Sequence, residues 1–168
     1  MSGPVSSLAQ VPLSDVLPSS CVDAEPELRR LAGDLESHPA AAGRIRWHWY
    51  PEHKTPPGTS RAGVCLIVCD AAITVFDQDH DSLELTLTVG WCPELTVSAA
   101  VEVACWCSSD HNIHEVRGSS RPATNGAALV NGFAAGAAML TRVLDSGQFD
   151  PRRWRVEAGL PDAAPKAQ

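Results

Sequence analysis

Lysine is nearly missing from this chain: only Lys54 and Lys166 occur in 168 residues. Thirteen basic residues face twenty acidic ones, for a formal charge of −7. That balance leaves no cationic footprint to displace counterions from phosphates, so no nucleic-acid partner is expected. Bilayer-length apolar runs are absent too. The most apolar stretch, GAALVNGFAAGAAML, covers about fifteen residues and contains Asn131, whereas a span needs roughly twenty. It reads as a core helix, and no membrane partner is expected. The opening MSGPVSSLAQVPLSDVLPSS has neither a basic n-region nor an apolar h-region, so a cytoplasmic protein with six reduced cysteines is expected. No G-x-S-x-G, H-E-x-x-H or phosphate-cradling glycine loop occurs, which leans the reading away from an enzyme.

What is present is ordinary globular composition, 44% apolar and 20% charged, enough for one domain with a core. Residues 1–22 lack periodicity and read as a flexible lead, and residues 161–168 as a flexible tail. Residues 23–160 form the single domain. Its first element is a helix with Asp23 as cap, Pro26 in the first turn and Pro39 at the end. RIRWHWY alternates, with Ile45, Trp47 and Trp49 inward and Arg46 and His48 outward. SLELTLTVGW places Leu83, Leu85, Leu87 and Val89 on one face, and LTVSAAVEVACWC does the same through Cys105 and Cys107. HEVRG suggests a short fifth strand. A long helix over residues 125–146 and a short one capped by Asp150 close the chain. The pattern predicts an α+β domain: an N-terminal helix, a four- to five-stranded antiparallel meander, a long C-terminal helix packed on one face, and a short terminal helix.

CWCSSDHNIH concentrates chemistry. By register, Cys65, Cys69, Cys105 and Cys107 fall on the helix-covered face, where free cysteine behaves as a small hydrophobe. The same stretch allows a metal site, because Cys105, Cys107, His111, His114 and His80 should gather at one end of the sheet. Zinc is the metal that such a set would take. Against it, the C-x-C sulfurs of a regular strand stand about 6–7 Å apart. Cys107 with His114 or His80 could form a nucleophile–base pair, but register buries that thiol. Ser108, Asp110 and His111 match a triad by residue type only. No motif calls for a cofactor.

Trp106 shares parity with Glu102 on the polar side of its strand, the kind of place where a tryptophan anchors a partner. With Arg46, His48 and Glu102 it defines a candidate partner face. The leading expectation is a non-enzymatic binding or accessory protein, immunity-, adaptor- or chaperone-like, that uses an open sheet face toward a protein partner or a second copy. The alternatives are the metal-binding protein and a small-molecule binder or enzyme with a cavity between sheet and long helix. Gly132 and Gly136 bear on the latter: they either leave room or draw the helix closer.

Overall fold

The computed structural model describes residues 3–58, 65–105 and 112–160. A 3-10 turn (Leu8–Gln10), a one-turn helix α1 (Leu13–Val16) and a second 3-10 stretch (Ser19–Ala24) lead into helix α2 (Glu25–Glu36). Strands β1 (Ile45–Trp49), β2 (Leu66–Gln78), β3 (Asp81–Trp91), β4 (Leu95–Cys105) and β5 (Asn112–Pro122) follow, then helices α3 (Gly126–Ser146) and α4 (Pro151–Glu157). The strands form one antiparallel sheet in chain order, the meander expected from the alternation. Leu85 pairs with Ile73, Leu87 with Ala71 and Val89 with Cys69, so opposed apolar residues share the inner face. Between β2 and β3 the two central turn residues, Asp79 and His80, have φ of 54° and 67°. Left-handed backbone at both positions is what a two-residue type I′ hairpin requires.

Helix α3 covers the inner face. Asn125 caps it by accepting the Ala128 N–H at 2.8 Å, and Gly147 ends it in the left-handed conformation. At 21 residues it is long and apolar enough to cross a membrane by length and composition, but Leu129, Phe133, Leu140 and Leu144 are buried in the core. Gly132 and Gly136 settle how near it lies. A Cβ on Gly136 would come within 2.6 Å of Leu87 Cδ1 and 3.1 Å of the Ala99 Cβ, and one on Gly132 within 3.2 Å of Val97. The glycines bring the helix down onto β3 and β4, so of the two outcomes open at these positions the close approach is the one found.

Residues 3–22 are not a loose lead. Leu8, Val11, Leu13, Val16, Leu17 and Cys21 are all at most 2% exposed. Polar clamps hold the segment on α2: Arg29 donates to the carbonyls of Leu8 (2.6 Å) and Val11 (3.0 Å), while Glu36 accepts the Leu8 N–H (2.7 Å) and the Ser7 hydroxyl (3.0 Å). Val5 and Trp47 exchange two backbone hydrogen bonds, adding a bridge outside β1. Trp47 also stacks on Phe133 at 6.3 Å. Asp23 does not cap α2, whose N-cap is Ala24 without a side-chain bond; a Cβ on Gly126, at the start of α3, would meet the Asp23 carboxylate. Residues 161–168, expected as a tail, lie outside the described residues.

Helix α4 is capped by Asp150, which accepts the Arg152 N–H at 3.0 Å. It carries a buried cation to the end of the sheet, with Arg155 Nη1 3.2 Å from Asp81 Oδ1 and side chains only 4% and 11% exposed. Asp81 Oδ1 accepts no aligned hydrogen bond, so charge at ion-pair distance holds the two together. Arg117 of β5 lies 4.7 Å over the Trp154 ring and pairs with Glu157.

Candidate functional site: the uncovered sheet face

Register defines the outer face residue by residue. His48, Asp70, Thr88, Ser98 and Ser120 make one row across the five strands. Arg46, Ala72, Thr86, Ala100 and Gly118 make the next, a flat stripe of small side chains beyond Arg46. Thr74, Glu84, Glu102 and Glu115 make the third. Directly opposed residues in antiparallel strands have Cβ atoms about 5 Å apart, and like charges so placed repel. The face therefore places three carboxylates, Glu84, Glu102 and Glu115, on neighbouring strands side by side.

Surroundings sharpen this. Partial burial pushes the Glu102 carboxyl up from its ordinary value, with Glu84 and then Glu115 adding to the rise. Burial also raises Asp70; His48 opposes that rise and Glu84 reinforces it. His48 Nδ1 stands 4.0 Å from Asp70 Oδ2, a weak charge contact. Thr74 donates to Glu84 Oε2 at 3.2 Å. Glu115 folds its carboxylate over Gly118, where a Cβ would come within 2.0 Å of Oε1. That side chain thus occupies the space opened by the small-residue stripe.

Of the four residues expected on a partner face, Arg46, His48 and Glu102 share the outer side, and Trp106 lies outside the described residues. Arg46 is less available than its exposure suggests, because its guanidinium donates to the Ile45 carbonyl at 2.8 Å. Sequence reasoning singled out Glu102 on this face but not Asp70, Glu84 or Glu115. Glu115 depends on the true length of β5 and on a register shift beside Val116, where Val101 meets Arg117 but Glu102 meets Glu115.

The cysteine–histidine set fares differently. Cys107 and His111 lie outside the described residues. His114 sits opposite Val103, not Cys107, because β5 begins at Asn112 opposite Cys105. His80 is exposed in its turn. Cys105 is in a disulfide, which removes the thiolate a metal would bind. Among the described residues no group of three or more His, Cys, Asp or Glu side chains is placed to hold a metal ion. Cys65 was expected on the inner face as a thiol; it is exposed and joined to Cys92, with Cα atoms 4.5 Å apart. The reason is a bulge in β2: Val68 and Cys69 are both buried in succession, so the alternation slips before reaching Cys65. Cys69 and Cys21 are the buried free thiols among the described residues.

Fold and face together define an α+β domain with one helix-covered side and one acidic side that no described element covers. No known protein family, curated protein or solved structure matches the chain significantly.

Proposed function

We propose that this chain is a non-enzymatic binding protein whose outer sheet face docks a basic protein surface. The observation that carries the reading is the row Glu84, Glu102, Glu115, three mutually repelling carboxylates beside a flat stripe of Ala72, Thr86, Ala100 and Gly118. A charge arrangement unfavourable in the free protein is relieved by a cationic partner. The small side chains of Ala72, Thr86 and Ala100 let an opposing surface approach, with the Glu115 carboxylate, folded over Gly118, at the β5 end of the stripe to meet its cations. A second copy placed face to face would double the repulsion, so a basic partner fits this face better than itself. An adaptor- or chaperone-like accessory role is the class this surface serves.

The test is an NMR titration of the full chain with a nonaarginine peptide at low and moderate salt. Amide shifts should concentrate at Ala72, Thr86, Ala100 and Gly118, and affinity should fall about tenfold or more in a Glu84→Gln/Glu102→Gln/Glu115→Gln variant. Shifts scattered over the surface, or equal affinity in the triple variant, would remove the reading.

A further inference from the structure

The described cysteines sort by exposure. Cys65 and Cys92 are exposed and bonded to each other. Cys105, half-buried at the far end of β4, is also in a disulfide. Cys21 and Cys69, 0% and 5% exposed, keep their thiols. Burial pushes the Cys69 thiol up to about 12, with Asp70 adding to the effect, and burial likewise raises Cys21. Neither is a ready thiolate for oxidation or exchange. In a reducing cytosol exposed and buried cysteines alike remain thiols, and nothing selects between them. Where disulfides persist, an accessible thiol is paired and only an inaccessible one survives. The second pattern is the one the described cysteines display.

We infer that Cys65, Cys92 and Cys105 are sites of oxidative maturation and that the chain completes its folding in a compartment that maintains disulfides, not in the reducing cytosol. For the pair Cys65 and Cys92, the Cys65 thiolate attacks a donor disulfide, carried by a protein or a small molecule, and releases one donor thiol. The Cys92 thiolate then displaces the second. One sulfur–sulfur bond forms in the chain, two protons are lost from its thiols, and the two electrons reduce the donor to a dithiol. Placement favours the closure: Leu66 pairs with Trp91, so Cys65 and Cys92 stand one residue beyond the last rung of the β2–β3 ladder.

The test is acid quenching of the cells in which the chain is native, which stops exchange. Alkylation in denaturant without reductant and peptide mass analysis follow. Cys21 and Cys69 should take the label, while Cys65, Cys92 and Cys105 take at least about tenfold less until reductant is added. Full labelling of Cys65 and Cys92 in quenched cells would overturn the inference. Either result leaves the acidic face untouched, because that face is tested by peptide binding and not by thiol state.

Discussion

At the scale of single residues, glycine and glutamate are the informative positions. Gly136→Ala puts a methyl against Leu87 and Ala99, so overpacking of about 1–3 kcal/mol should outweigh the better helix propensity of alanine. Gly33 in α2 has nothing within 4 Å, and Gly33→Ala should stabilise by about 0.5–1 kcal/mol. Urea unfolding of the two variants should therefore move in opposite directions. Glu102 and Asp70 have carboxyl values raised in the folded state. Their contribution to stability is then present below the unfolded carboxylate value, about 4, and is lost as pH rises through the folded one. Glu102→Gln should unfold at higher urea than the parent at pH 7, with the gap closing toward pH 4. A gap independent of pH would mean that packing, not charge, sets the cost at this position.

Among the elements, α4 shows how much one buried charge pair adds to a short helix that also buries Trp154. Removing one partner leaves the other charge stranded, so Asp81→Ala should cost about 3–5 kcal/mol and expose Arg152, Arg153 and Arg155 to trypsin. Replacing both Asp81 and Arg155 with apolar residues should recover much of the loss, and comparing trypsin sensitivity of the single and double variants checks it. Nothing in the sequence marked this pair, because Asp81 reads as a turn residue and Arg155 as one of several surface arginines. Strand alternation, by contrast, made β1, β3 and β4 and their inner faces legible, the apolar run marked α3, and Asp150 announced the cap of α4. Legibility failed where alternation failed. A bulge in β2 displaced Cys65 from the inner face, a bulge in β5 brought Glu115 opposite Glu102, and β5 runs for 11 residues where HEVRG alone had suggested five or so. The N-terminal segment was missed for another reason: its core residues Leu8, Leu13 and Leu17 sit on one-turn pieces too short to show a period.

For the molecule as a whole, the disulfide between Cys65 and Cys92 constrains the unfolded chain across a separation of 27 residues. Loop entropy makes that worth about 3–4 kcal/mol, so a Cys65→Ser/Cys92→Ser variant should melt roughly 7–15 °C lower than the parent without reductant. Differential scanning calorimetry of the two proteins reads this directly, and equal melting temperatures would show that the crosslink adds nothing to the meander's own closure. A last consequence concerns the sheet's two margins. Trp47, at the centre of the five-residue β1, already spends its outward N–H and C=O on Val5, so an incoming strand meets occupied groups there. Among the described residues, β5 is paired on one side only, to β4. In the language of polymer chemistry the two described margins differ in functionality: β5 offers an end at which a second copy can join, whereas the centre of β1 is already capped, so edge-to-edge growth favours a pair over a fibre.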